Sequence, residues 1–418
     1  MKKISAVICV LAFSARIFVP LEASAAEAAE VSAMRRELDA MRAEITQMRE
    51  FYDAKIENMR GKIEELEAGR VTAPPVPGGP TPLPGMGRPA FELPDISAVG
   101  NVIANYGTDR SDPDRNKVFL EEVELAIQGY LYPDIWANFI ISLHRESDGE
   151  YEAGIEEGYI EFMSTPIPGL SVLAGRKLVG FGKVNPVHAH HWNYVDRPAV
   201  LESYLGDHGL AGQGVNVSYL LPLPFFSQAD FGVWYVDDHD HHHHHHHHDD
   251  DVLGLADRTY SARLWSSFPI AEDQELEIGA SGVTGYGPDH EEHEDKVWVG
   301  GLDLTYRLLG DRERRLLYQS ELLFLHRQIP GETLDRWGFY KHLNYRFNRN
   351  WDAGLRFDWL ETPFSERDTK YSISGIITRS LTETTKLRLQ YKFDPKDIEH
   401  TVYLQAVFGL GPHAHALE

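Results

Sequence analysis

The chain has 418 residues, 42% of them hydrophobic and 11% aromatic, with 64 acidic against 40 basic side chains and a net charge of −24. An excess of negative charge on this scale excludes nucleic acid as a partner, because it repels the phosphate backbone. Past the first 25 residues no stretch approaches the ~18 consecutive apolar residues of a membrane helix, and prolines break the longest apolar patch, Tyr219 to Phe226.

Met1, Lys2 and Lys3 precede an apolar run from Ile4 to Val19, and Ala23-Ser24-Ala25 follows as a small-x-small cleavage site. Residues 1–25 therefore read as a secretory signal peptide. The single cysteine, Cys9, lies inside it, so the mature chain is expected to hold no disulfide and no thiolate metal site.

Residues 29–69 carry apolar side chains at Val31, Met34, Leu38, Met41, Ile45, Met48, Tyr52, Ile56, Met59, Ile63 and Leu66. The steps of three and four form a heptad seam with one stutter at Tyr52. The remaining positions are mostly charged or small. This predicts a periplasmic α-helical coiled coil about 54 Å long at 1.5 Å per residue. Such a stalk could reach peptidoglycan or periplasmic proteins. Gly69 ends the seam. Residues 70–94 hold eight prolines and read as an extended Pro/Gly-rich linker without a core.

From residue 95 to 418 the pattern changes to period two. Alternation marks strands at 97–106, 117–132, 135–146, 152–163, 170–178, 213–222, 227–236, 257–268, 273–285, 296–308, 314–327, 335–347, 351–361, 370–380, 384–393 and 400–409. The number is even, as closure of a bacterial barrel requires. Even-numbered connections such as Pro133-Asp134 and Asn348 to Asn350 are short, and odd-numbered ones are longer on average. Short periplasmic turns and long external loops produce that alternation. Trp351, Ala353, Leu355, Phe357 and Trp359 form one face of a strand whose other face is Asp352, Gly354, Arg356 and Asp358. The fold class predicted is an all-β, antiparallel, porin-like transmembrane barrel of about sixteen strands in outer-membrane lipid. The stalk and the C-terminus are expected on the periplasmic side.

The coil, the linker, the segment Pro94-Asp95-Ile96-Ser97-Ala98-Val99-Gly100-Asn101 and the ending Phe408-Gly409-Leu410-Gly411-Pro412-His413-Ala414-His415 resemble outer-membrane proteins labelled zinc-regulated TonB-dependent receptors. The barrel is similar, more distantly, to the phosphate-selective porins. A TonB-dependent transporter fills a larger barrel with an N-terminal plug. The coil and linker here supply no plug, so a passive channel is expected. The resemblance to porins also implies that the third loop, residues 179–212, folds into the lumen and sets the pore size.

That loop contains His188, His190, His191, Asp196, Arg197, Glu202, Asp207 and His208. Neutral imidazoles beside carboxylates suit a divalent metal; the reading favoured over it is that the same side chains hydrogen-bond the wall and fix the loop. The fourth loop is richer. His239, Asp240 and an unbroken run of eight histidines (His241, His242, His243, His244, His245, His246, His247 and His248) lie among further aspartates. The tract is compositional, so it would hold Zn²⁺, Ni²⁺ or Cu²⁺ without one fixed geometry. His290 and His293 of the fifth loop add to it on the same, external side. On the lumen face, Glu122, Glu124, Glu157 and Glu161 make an acidic wall, and Arg356, Lys386 and Arg388 a basic one. Charged rings select permeants by sign.

No nucleophile elbow, phosphate loop or His-Glu-x-x-His helix occurs, and no enzyme activity is expected. The leading expectation is a trimeric channel whose external histidines collect divalent metal, zinc first, for passage to the periplasm. The alternatives are a general or anion-preferring porin, or a barrel that anchors the stalk to the membrane.

Overall fold

The computed structural model describes residues 94–145, 149–237, 252–287, 295–310, 314–364 and 366–411. The leader, coil and linker expected over residues 1–93 lie outside the described residues. So do His239 to His248, His290 and His293.

Sixteen antiparallel strands close into one barrel. In chain order they are β1 (Asp95–Gly107), β2 (Lys117–Tyr132), β3 (Ile135–Arg145), β4 (Tyr151–Phe162), β5 (Leu170–Leu178), β6 (Ala211–Leu220), β7 (Phe226–Val236) and β8 (Ala256–Ala271). Then follow β9 (Gln274–Tyr286), β10 (Lys296–Leu309), β11 (Arg315–Ile329), β12 (Glu332–Asn348), β13 (Trp351–Glu361), β14 (Thr369–Ser380), β15 (Thr385–Asp394) and β16 (Glu399–Leu410). No boundary differs from the sequence reading by more than three residues. Each strand pairs with its neighbour in sequence, and β1 closes on β16 from Ala98↔Leu410 to Gly107↔Thr401. Closure gives every strand a neighbour on both sides, the condition for a sheet surrounded by hydrocarbon. One long-side connection departs from the expected lengths: β11 and β12 are joined by Pro330-Gly331 alone, with Gly331 at a φ of 83°.

The faces are inverted relative to a water-soluble sheet. On β13, Leu355 is 62% exposed while its neighbour Arg356 is 1% exposed. Phe139, Phe231, Leu264, Leu302, Leu322, Leu343, Leu389 and Leu404 continue the exposed apolar band around the outside. A belt of this extent is far larger than the scattered apolar patches of a soluble surface, and it matches the lipid-facing exterior of a membrane barrel.

The third connection turns inward and supplies the core. Residues 179–210 run through a short 3₁₀ turn (Ala189–His191) and the helix α1 (Ala199–Leu205). Val179, Phe181, Val200, Leu201, Tyr204 and Leu205 of this loop are fully buried. They pack among Trp234, Val283, Val299, Leu323, Leu325, Tyr340 and Leu360 of the inner wall. Each such side chain contributes roughly 1.5–3 kcal/mol by leaving water, which offsets the entropy lost in ordering so long a loop. α1 lies against β12 and β13.

Candidate functional site

The loop enters the lumen at a point only glycine allows. Gly182 has a φ of 58°, and a Cβ there would collide with the Glu321 carboxylate. Glu321 accepts hydrogen bonds from the backbone N–H of Lys183 and of Val184, both 3.1 Å, and from the Tyr340 hydroxyl at 2.9 Å. Lys183 pairs with Glu277. Asn185, fully buried, ties the two ends of the loop together. Its Nδ2 donates to the carbonyls of Val179 and Leu210, and its Oδ1 accepts from the Arg197 guanidinium and the Leu210 N–H.

From there the loop touches two separate stretches of the wall. Toward β13–β15, Arg356 donates to Asp196 Oδ1 at 2.8 Å and to Asp358 at 2.7 Å, and Lys392 donates to Asp196 Oδ2 at 2.8 Å. Arg388 donates to the carbonyls of Tyr194 and Trp192. Arg356 and Arg388 are therefore not exposed pore-lining charges, as the alternation alone suggested. The loop covers them, and they clamp it. Lys386, near the start of β15, is half-buried.

Toward β2–β4 the loop presents its histidines. His190 Nδ1 lies 3.0 Å from Glu124 Oε1. His188 Nδ1 lies 3.0 Å from Glu156 and 3.5 Å from Glu124, and its Nε2 lies 3.9 Å from Glu157. The ring of His191 stands 4.1 Å from that of His190. Burial opposes a charge on His188, but the three glutamates outweigh it and lift the imidazole well above its ordinary range. Glu124 and Glu157 are thus also covered by the loop, whereas Glu122 and Glu161 remain half-buried. Glu161 accepts from Ser171. Of the other loop residues singled out in the sequence, Arg197 braces the loop from within. Asp207 and His208 are exposed, with His208 5.2 Å from the His144 ring.

Two β-bulges concentrate the acids. β2 shifts register against β1 between Asn101 and Val102, and β4 shifts against β3 between Ile140 and Ile141. The second shift skips Glu156, so Glu156 and Glu157 both bear on the loop, as a bulge allows. Sequence alternation alone missed Glu156 and Asn185. A signal for Glu156 exists: Ile155 and Phe162 both face outward but differ in parity, so a bulge must separate them.

A closed sixteen-stranded barrel with a long connection folded inside it is the architecture of this chain. Among solved structures it is similar to Salmonella typhi OmpF, solved as a complex with daunomycin (TM-score 0.51, 6% identity, 76% of this chain and 97% of that one). It is also similar to the trimer form of the Vibrio cholerae outer membrane protein OmpT (TM-score 0.50, 8% identity, 76% and 99%). Pseudomonas putida OprB matches comparably (TM-score 0.50, 11% identity, 76% and 94%). No family model matches the chain. A curated relative, an uncharacterized protein of Aquifex aeolicus (strain VF5), is 26% identical over 296 residues, and the match spans 62% of each chain.

Proposed function

We propose that this chain is an outer-membrane, porin-like channel that passes divalent metal cations, zinc first among them, by diffusion rather than energy coupling. The observation that carries the reading is the third loop folded across a closed barrel whose outside is apolar. Lipid on one side and a constricted, charged interior on the other are what a channel needs. The metal preference is supported by the His-rich fourth loop in the sequence and by the imidazoles against the acidic wall. An anion-preferring porin is the second reading. It is favoured less, because Arg356, Arg388 and Lys392 are occupied by the loop. In this proposal the short turns and both termini face the periplasm, and the stalk and three barrels form a homotrimer, the form in which the OmpT neighbour was solved.

Planar-bilayer recording of the purified full chain tests this. Ohmic conductance with a reversal potential favouring cations, reduced by micromolar Zn²⁺ and less so after deletion of residues 239–248, is the expected result. Absence of conductance overturns the channel reading and leaves a membrane anchor; anion preference moves the assignment to the second reading.

A further inference from the structure

We propose that Glu124 is the shared ligand of two overlapping divalent-cation stations inside the barrel, one completed by His188 and Glu156 and the other by His190 and Glu122. The inference rests on the channel reading and names the place inside the channel where the cation is held.

In each triad the three candidate ligand atoms lie within 4.8 Å of one another. One imidazole and two carboxylates leave open positions for water, as in zinc sites that exchange ligands. Nitrogen with oxygen donors favours Zn²⁺, Co²⁺, Ni²⁺ or Mn²⁺ over Ca²⁺, which takes oxygen alone. A second observation points to a ligand independently of the clustering. The His188 side chain is 11% exposed, yet its Nδ1 makes no well-aligned hydrogen bond although carboxylate oxygens lie close by. Oε2 of Glu156 is likewise buried without a hydrogen-bond partner. Buried donors and acceptors left in this state are costly. A cation among them would give Glu156 Oε2 a partner. The local charge agrees. Glu122, Glu124, Glu156 and Glu157 gather on one stretch of the wall, while Arg356, Arg388 and Lys392 stand on the other, engaged by Asp196 and by carbonyls of the loop.

The arrangement also suits passage. A cation shared through Glu124 can move from one triad to the other by exchanging two ligands while keeping the third. Sites that are adjacent and individually moderate let an ion enter and leave.

The test is zinc binding by the full chain in detergent. Serine replaces each histidine of the fourth and fifth loops in that background, so that external sites do not mask the lumen. Equilibrium dialysis against ZnCl₂ is expected to find a bound ion that His188→Gln and His190→Gln each weaken at least tenfold and that Glu124→Gln abolishes. Heat-modifiable electrophoretic mobility reports whether each variant remains a folded barrel. If Glu124→Gln fails to fold, the parent is titrated with Co²⁺ instead, and visible bands of imidazole-bound cobalt that Zn²⁺ displaces are expected. Equal zinc binding by parent and variants, or no bands, overturns the inference. Conductance without luminal metal would sink this inference and spare the channel. Luminal metal without conductance would do the reverse.

Discussion

Asp196 shows how a single side chain holds a loop against a membrane-depth wall. It accepts from Arg356, Lys392 and Gln390. Burial alone would raise its pKa, but the two cations outweigh burial and hold the carboxyl well below the usual range. A carboxylate depressed in the folded state adds stability that is present above its ordinary pKa, about 3.9, and lost only as pH falls through the lower folded value. Acidification from pH 7 to 4 is therefore expected to leave this clamp intact. Asp196→Asn removes the charge at every pH and leaves Arg356 buried without its charged partner on the loop, although the Asp196 backbone carbonyl still accepts from it. Truncating one partner of a buried charge pair costs about 2–5 kcal/mol. The expected outcome is a folded barrel whose third loop becomes sensitive to protease at neutral pH, while the parent resists down to pH 4. Equal resistance of parent and variant would show that the clamp contributes nothing.

At the scale of elements, the third loop behaves as a small domain folded inside a barrel. Its polar contacts orient it, but α1 and the turn at Phe181 bury the apolar surface. Leu201 is fully buried, and Tyr204 donates its hydroxyl to the Glu361 carbonyl at 2.8 Å. Leu201→Ala leaves a cavity at a site where the rigid wall cannot collapse, with an expected loss of about 2–5 kcal/mol in loop packing. The barrel ladder does not depend on this contact. Circular dichroism is thus expected to keep its β signature, while single-channel current rises or grows noisy as the loop loosens. An unchanged current with an unchanged thermal midpoint would deny the loop its constricting role.

The whole molecule is organised around an exterior that is apolar because its solvent is lipid. Leu355 sits midway along β13 on that exterior, and its neighbour Arg356 points inside. Placing a charge at such a position costs about 2–4 kcal/mol at the bilayer midplane. Leu355→Arg is therefore expected to lower unfolding stability in lipid vesicles by that amount. On a water-soluble barrel the same exposed substitution would be close to neutral. Urea titration of vesicle-reconstituted parent and variant separates the two cases.

Much of this fold was legible in the sequence, because strand alternation is a local property. Whether Leu355 faces out and Arg356 faces in follows from parity along one strand, and sixteen such segments with an even count imply closure. The contacts of the third loop were not legible in that way. Its histidines carry no period, and their partners Glu124 and Glu156 lie on β2 and β4, far back in the chain. The sequence could therefore offer metal ligand and wall contact only as competing readings of His188 and His190, with wall contact the favoured one. Arg356 and Arg388 looked like pore lining because alternation reports the side a residue faces and not what covers it. Only the tertiary structure brought these groups together. The glycine turn at Gly182 sets the path of the loop, the apolar surface of α1 fixes its depth, and the bulge in β4 adds a carboxylate that strict alternation would have pointed at lipid.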